Sequence, residues 1–169
     1  MIDKNGFRAN VGIILVNAQQ QVFWGRRVGN QNAWQFPQGG MKEAETDEQA
    51  MYRELYEELG LLPQHVSVLD RVRPWIYYRL PRHLRRYRSK PLCIGQKQKW
   101  FLLQLMTTDG HIALDRSEKP EFDQFQWVTV EHALDNIVDF KRKAYRRAVR
   151  HLAAHFVTRP HPGAEDAMG

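Results

Sequence analysis

Three glutamates lie close together in the sequence, at Glu54, Glu57 and Glu58. Residues three and four apart are neighbours on a helix surface, so a helix here would bring all three carboxylates to one side. Like charges at this spacing repel one another, and carboxylate oxygens are the ligands that hard divalent cations prefer. The cluster therefore indicates either a divalent metal site or the acidic surface of an ordinary amphipathic helix.

The residues around the cluster predict a helix from about Asp47 to Leu59. Thr46 can cap its N-terminus, with Gln49 completing a capping box. Gly60 suits the left-handed conformation that ends many helices. Apolar residues recur at helical spacing along one face: Met51, Leu55, Leu59 and Leu62. Burying that face would place the carboxylates at the edge of a hydrophobic core.

The composition is typical of one globular domain. The chain has 169 residues, is 43% hydrophobic and contains five Trp and eight Phe, which is enough for a core and excludes a disordered chain. No apolar run approaches the roughly 20 residues of a membrane span, and MIDKNGFRAN lacks the apolar centre of a signal peptide. Cys93 is the only cysteine, which suits a reducing compartment. We expect a cytoplasmic protein with no membrane partner.

Positive charge dominates outside the glutamate cluster. The net charge is +6 and the pI about 9.6. Lys and Arg are concentrated at 81–90 and again in the C-terminal part of the chain. This distribution suits a polyanionic ligand whose phosphates meet a metal ion while the rest meets Lys and Arg. The alternative for 81–90 is a solvated surface loop.

The remaining segments predict a sheet between helices. Strands are expected at 9–16, 21–26, 66–72, 75–80, 95–106 and 125–130, with a short strand at 111–114. Two further helices are expected at 131–136 and 140–157. Strands interrupted by one helix and followed by others predict a single α/β domain with a mixed sheet.

The longer pattern around the glutamates resembles the Nudix box. The box, 39–61, agrees at nine defined positions over 23 residues: Gly39, Glu45, Arg53, Glu54, Leu55, Glu57, Glu58, Gly60 and Leu61. The resemblance implies a Nudix fold, an α/β/α sandwich around a mixed sheet, over 1–158, with a flexible tail at 159–169. It also implies a hydrolase that binds Mg²⁺ or Mn²⁺ and cleaves a phosphoanhydride bond.

Segments outside the box are similar to the bacterial RNA pyrophosphohydrolase branch of this family. They are WQFPQGG, KPLCIGQKQKWF and FKRKAYRR. The implied substrate is the single-stranded 5′ end of triphosphorylated RNA, converted to a 5′-monophosphate to initiate mRNA decay. WQFPQGG and QKQKW also occur in hydrolases of diadenosine tetraphosphate, so a dinucleoside polyphosphate hydrolase is the alternative. A non-catalytic RNA-binding module is a third hypothesis, which a degenerate box would favour, but this box is intact.

The resemblance further implies roles for individual residues. Glu54, Glu57 and Glu58 would bind the metal together with Glu121, for which the alternative is a plain surface carboxylate. One box glutamate, with Glu57 preferred, would accept a proton from water, and Arg53 would orient a carboxylate. The phosphate- and RNA-binding candidates are Arg8, Arg27, Gln96, Lys97, Lys99, Phe140 and Lys141.

Arg27 and Phe140 resemble a pair that holds a base between a guanidinium plane and an aromatic ring. The alternative for Phe140 is core packing on the C-terminal helix. The loop 28–33 departs from the branch pattern, because it is one residue longer and Ala33 stands where serine is usual. A phosphate contact from a hydroxyl at that position is therefore absent.

Overall fold

Seven strands form one mixed sheet in residues 1–156, the part of the chain that the computed structural model describes. The strands are β1 Phe7–Val16, β2 Val22–Arg27, β3 Trp34–Gln35, β4 Gln38–Gly40, β5 Val66–Arg79, β6 Gly95–Leu105 and β7 Phe122–Val128. Their order is β3-β2-β1-β6-β5, with β4 also paired to β1 and β7 to β2. The β1–β6 pair is parallel and the other pairs are antiparallel.

Helices cover both faces of the sheet. They are α1 Asp47–Leu59, α2 Val130–Asn136 and α3 Asp139–His151. Because side chains alternate along a strand, β6 sends Trp100 and Leu102 to the α2–α3 side and Phe101 and Leu103 to the α1 side. Two hydrophobic cores result, one on each face, and the predicted single α/β domain is confirmed. None of the helices in residues 1–156 combines the length and the apolar composition that crossing a membrane requires.

Helix α1 forms as its sequence predicts. Its bounds agree with the expected ones, and the Thr46 hydroxyl and the Gln49 side chain form the capping box. Gly60 ends the helix at φ 70° and donates its backbone N–H to the Tyr56 carbonyl. These signals are local, so the helix and its three glutamates are positioned largely by neighbouring residues.

Strand β5 corrects the prediction of two strands at 66–72 and 75–80. Its pairing with β6 runs from Val66 to Arg79 through a bulge between Val72 and Ile76. Val72 pairs with Trp100 and Ile76 with Gln98, so residues 73–75 lie opposite Lys99 alone. Pro74, which lacks an N–H for the ladder, falls in this bulge rather than ending the strand.

Two other expectations change. The strand predicted at 111–114 is wrong, because a 3-10 turn spans Asp109–His111 and the N–H of Ala113 donates to the carbonyl of Leu59. This segment therefore completes the C-terminus of α1 instead of joining the sheet. The final helix is shorter than predicted: α3 stops at His151, and a 3-10 turn follows at Ala153–Phe156. Residue 157 and the tail expected at 159–169 lie outside the described residues.

Candidate active site

Helix α1 turns two of its three clustered glutamates inward. Glu54 and Glu58 are four residues apart, and only 8% and 6% of their surfaces are exposed. The Glu57 side chain, on the neighbouring helix position, is 40% exposed. The site thus contains two buried carboxyls beneath a third that reaches solvent.

Arg53 connects these carboxylates to the loop before the helix. Its guanidinium donates to Glu54 Oε1 at 2.7 Å, to Glu57 Oε2 at 3.2 Å and to Glu45 Oε1 at 2.8 Å. It also donates to the backbone carbonyl of Gly40 at 2.8 Å. Arg53 thus pairs with Glu54 and Glu57 on the helix and, through the same guanidinium, with Glu45 in the loop.

Strand β4 brings a glycine directly against Glu54. Gly39 pairs with Val11 of β1, which fixes its position in the sheet. A Cβ added at Gly39 would lie 2.0 Å from Glu54 Cδ, far inside van der Waals contact. A side chain at position 39 would therefore displace the Glu54 carboxylate from the position in which Arg53 holds it.

Burial raises the pKa of both inward carboxyls. Desolvation is the largest cause at Glu54, and the adjacent Arg53 guanidinium partly offsets it. At Glu58, desolvation and then the negative charges of Glu54 and Glu121 raise the pKa well above the usual carboxyl range. A nearby positive charge would therefore stabilise the ionised form of both carboxyls.

The carboxylates fit a divalent cation, and Glu58 supplies the evidence. In residues 1–156 no three Asp, Glu, His or Cys side chains already form a metal-binding group. Arg53 pairs with Glu54 and Glu57, whereas Glu58 Oε2 is buried and has no hydrogen-bond partner among the described residues. An unsatisfied buried oxygen costs free energy, and a cation at this position would satisfy it.

We predict that Glu58→Gln stabilises the metal-free protein at neutral pH. The folded-state pKa of Glu58 is raised, so its charged form opposes folding once the pH exceeds the usual glutamate pKa. The gain in melting temperature over the unmodified protein should therefore be largest at neutral pH and vanish as the pH falls below the usual glutamate range. Thermal melts in EDTA across this pH range measure it. The exposed Glu43→Gln is the control, and an equal gain there would contradict the burial explanation.

A cavity of about 310 Å³ opens beside the glutamates. It is bordered by β4 at Gln38, Gly39 and Gly40. Six of the residues predicted from the sequence lie around it: Arg8, Arg27, Gln96, Glu121, Phe140 and Lys141. The fold thus collects cations and polar groups from β1, β2, β6 and α3 next to the acidic helix.

Glu121 lies on the cavity wall, directly before β7. Its Oε1 forms an ion pair with Arg27 Nε at 3.2 Å, and its side chain is 37% exposed. Its charge also contributes to the raised pKa of Glu58. Glu121 is therefore electrostatically linked to the buried carboxyls, as expected of a residue that shares their site.

Lys141 is more enclosed than the sequence suggests. Only 6% of it is exposed, and Nζ donates to Gln35 Oε1 at 3.0 Å. Burial, followed by repulsion from Arg27, lowers its pKa to about 8. Nearby, Gln96 Oε1 is buried and has no partner in residues 1–156. The cavity therefore contains polar groups that a polar ligand could supply with hydrogen-bond partners.

Phe140 separates two openings of the site. Its ring centroid is 5.9 Å from that of Tyr78, in a tilted arrangement, so one side packs on the protein. The other side faces a second cavity of about 410 Å³, which Arg27, Ala33 and Val138 also line. Arg27 and Phe140 therefore border a common space, while packing against Tyr78 accounts for part of the role of Phe140.

Lys97 and Lys99 do not line the main cavity. They alternate with Gln96 and Gln98 along β6 and so face the α1 side of the sheet. Lys97 Nζ pairs with Asp3 at 3.1 Å, and Lys99 Nζ donates to the carbonyl of Arg73. The structure thus separates these two predicted phosphate ligands from the other candidates, and their role stays a prediction.

Trp75 contacts both of these lysines outside the cavity, which the sequence did not reveal. The ammonium groups of Lys97 and Lys99 lie 4.8 and 4.6 Å from the centroid of its ring. The β5 bulge brings the ring over both lysines, and no local sequence signal predicts that contact. The cavity residues Gln35 and Gln38 were also missed, although both belong to the WQFPQGG segment.

The fold and the site define a Nudix domain. The NUDIX domain model matches residues 6–148, and the chain belongs to the Nudix family. Members of this family generally depend on a divalent metal ion. The family and the fold class predicted from the box are both confirmed.

Within this family, the chain is most usefully compared with two relatives of high sequence identity. The chain is 58% identical over 152 residues to an RNA pyrophosphohydrolase of Alkalilimnicola ehrlichii, covering 90% of this chain and 83% of the relative. It is 56% identical over 153 residues to an RNA pyrophosphohydrolase of Cellvibrio japonicus, covering 90% of each. These matches include the segments outside the box on which the branch prediction was based.

Solved structures support the fold alone. The E. coli dihydroneopterin triphosphate pyrophosphohydrolase aligns with a TM-score of 0.66 at 20% identity, covering 86% of this chain and 98% of that one. A C. elegans Ap4A hydrolase aligns with a TM-score of 0.61 at 16% identity, covering 87% and 98%. Proteins with different substrates therefore share this scaffold, and the substrate depends on the cavity.

Proposed function

We propose that this protein is an RNA 5′-pyrophosphohydrolase. It converts 5′-triphosphorylated RNA to 5′-monophosphorylated RNA with Mg²⁺ or Mn²⁺, acts in the cytoplasm and thereby initiates mRNA decay. The observation that carries the proposal is the cavity that Arg8, Arg27 and Phe140 line, because its wall also includes Gly39, which lies against Glu54 of the acidic helix. The high identity to proteins named RNA pyrophosphohydrolase supports the same substrate.

The glutamates and Arg53 form the reactive part of the proposed site. Glu54, Glu57, Glu58 and Glu121 would hold the divalent cation, which when bound neutralises phosphate charge and lowers the pKa of water. Glu57 is the preferred proton acceptor because its side chain reaches solvent whereas Glu54 and Glu58 are buried. Arg53 holds Glu57 and Glu54 in place through its two short contacts.

The surrounding cations position the triphosphate. Phosphoryl transfer depends mainly on alignment and charge stabilisation, so several donors around the phosphates are expected. Arg8 lines the cavity with an exposed side chain, and the amide nitrogen of Gln96 would be a second donor. Lys97 and Lys99, held over Trp75, could reach phosphates only from the α1 side of the sheet.

The alternative is hydrolysis of dinucleoside polyphosphates. WQFPQGG and QKQKW, which also occur in hydrolases of diadenosine tetraphosphate, keep this alternative relevant. A side-by-side assay with Mg²⁺ decides between them, using an unpaired 5′-triphosphorylated RNA and diadenosine tetraphosphate at matched low concentrations. We expect much faster conversion of the RNA to its 5′-monophosphate form. Faster cleavage of the dinucleotide would overturn the proposed substrate. If both activities persisted after the metal ion was chelated, the proposed metal dependence would be overturned.

We predict that Phe140→Ala lowers kcat/KM for RNA about tenfold and affects diadenosine tetraphosphate less. Base stacking on an aromatic ring contributes about 1–3 kcal/mol, and Phe140 borders the cavity that Arg27 also lines. Steady-state kinetics on both substrates measure the difference. Since Phe140 also packs on Tyr78, Phe140→Tyr is the control and should retain RNA activity. Equal losses on both substrates would identify Phe140 as a packing residue.

A further inference from the structure

A groove of about 630 Å³, distinct from the two cavities described above, is also lined by Phe140 but not by Arg27. It lies at the C-terminal end of β5, between Phe7 at the start of β1 and helix α3, which packs against β5. Aromatic and cationic side chains dominate its lining: Phe7, Tyr77, Arg79, Phe140, Lys143 and Arg147. None of the residues assigned to the reaction above lies in this groove apart from the dividing Phe140.

The cations of the groove are available to a ligand. Arg79, Lys143 and Arg147 are all exposed, and in residues 1–156 none of them forms an ion pair with an acidic side chain. The one acidic residue in the lining, Asp139, is paired with Arg142 instead. The groove therefore has an uncompensated positive charge, which fits a polyanion.

The groove also offers a surface for stacking. Tyr77 is 46% exposed, and its ring meets Phe7 edge to face at a centroid distance of 5.0 Å. The Arg79 guanidinium lies 5.8 Å from the Phe7 centroid. An exposed tyrosine fixed by a buried ring, with a guanidinium beside it, is a suitable platform for an unpaired base.

The groove adjoins the catalytic cavity. Tyr78 and Phe140 line both spaces. On α3, Phe140, Lys143 and Arg147 follow one another at helical spacing and point along the groove for roughly 10 Å at ~1.5 Å per residue. A strand whose 5′ end occupies the cavity can therefore leave along this line of cations.

We propose that this groove binds the single-stranded RNA segment that follows the 5′-terminal nucleotides. The inference rests on the proposed function and adds a subsite to it: Lys143, Arg147 and Arg79 contact backbone phosphates, and Tyr77 stacks with a base. Binding here requires no particular sequence, because phosphates and base faces are common to every RNA. Longer RNA should therefore bind more tightly than a substrate that ends within the catalytic cavity.

The test compares two 5′-triphosphorylated RNAs, a dinucleotide and an unstructured RNA of about ten nucleotides, whose added phosphates the groove cations would contact. For the unmodified protein we expect a lower KM for the longer RNA. The double variant Lys143→Gln, Arg147→Gln should raise that KM about tenfold, leave kcat unchanged and leave the dinucleotide unaffected. The slope of log affinity against log salt for the longer RNA should fall by roughly 0.7 for each lost phosphate contact.

A matched variant separates the groove from overall charge. Arg146 and Arg150 are exposed on the same helix but outside the groove lining, so Arg146→Gln, Arg150→Gln removes equal charge elsewhere. In this control variant KM should still fall as the RNA becomes longer, as in the unmodified protein. In Tyr77→Ala part of that dependence of KM on RNA length should be lost. Equal effects of the two double variants, or no dependence on length in the unmodified protein, would overturn the subsite. Failure of the unmodified protein to hydrolyse either RNA would instead overturn the proposed function.

Discussion

Glu54→Gln and Glu57→Gln should each reduce RNA hydrolysis at least about 100-fold while the protein remains folded. Removing a positioned proton acceptor costs about 10²–10⁴-fold, and removing a cation ligand disturbs the same step. Glutamine has nearly the same shape but cannot carry the charge that a divalent cation and Arg53 require. Single-turnover kinetics at an Mg²⁺ concentration that saturates the unmodified protein measure the loss, and circular dichroism verifies the fold.

Two comparisons make this prediction specific. Glu118→Gln removes the same charge from an exposed position that forms no ion pair in residues 1–156, and it should retain full activity. Raising the Mg²⁺ concentration should partly restore Glu54→Gln if that residue mainly binds metal. A double variant at Glu54 and Glu57 that keeps substantial activity would contradict the assignment of the box carboxylates.

Gly39→Ala should lower activity on the order of 100-fold and also destabilise the protein. Its Cβ would lie 2.0 Å from Glu54 Cδ, so either the carboxylate or strand β4 must move. Overpacking typically costs about 1–3 kcal/mol, and a displacement of about 1 Å at a reactive group costs about 10²-fold in rate. Thermal melts and steady-state kinetics together measure both effects.

The neighbouring glycine is the matched control. A Cβ at Gly40 would meet only Arg8 Cδ, at 3.9 Å, which is ordinary contact. Gly40→Ala should therefore cost much less than Gly39→Ala in both stability and rate. Similar losses at the two positions would mean that backbone conformation, and not the space occupied by Glu54, explains the glycine.

Local signals in the sequence determined helix α1. Thr46 and Gln49 form the predicted capping box, and Gly60 takes the predicted left-handed conformation. Each of these interactions joins residues only a few positions apart, so the flanking chain is sufficient to define them. The spacing of the three glutamates on one helix therefore followed from the sequence alone, as did the family, which the box residues specify.

Long-range contacts decided the rest of the site. Gly39 meets Glu54 because β4 pairs with β1, and Arg27 meets Glu121 because β2 pairs with β7. Lys141 has a lowered pKa because α3 buries it against Gln35. These partners are far apart in sequence, so no local pattern predicts them.

Strand register explains the largest difference between prediction and structure. The family resemblance placed Gln96, Lys97 and Lys99 in one phosphate-binding set, but alternation along β6 sends Gln96 to the cavity and the lysines to the opposite face. The β5 bulge then places Trp75 over both lysines. The sequence determined which chemical groups the protein has and how α1 arranges its carboxylates. Only the tertiary structure decided which groups share a face, because strand pairing and helix packing, and not sequence proximity, set the direction of each side chain.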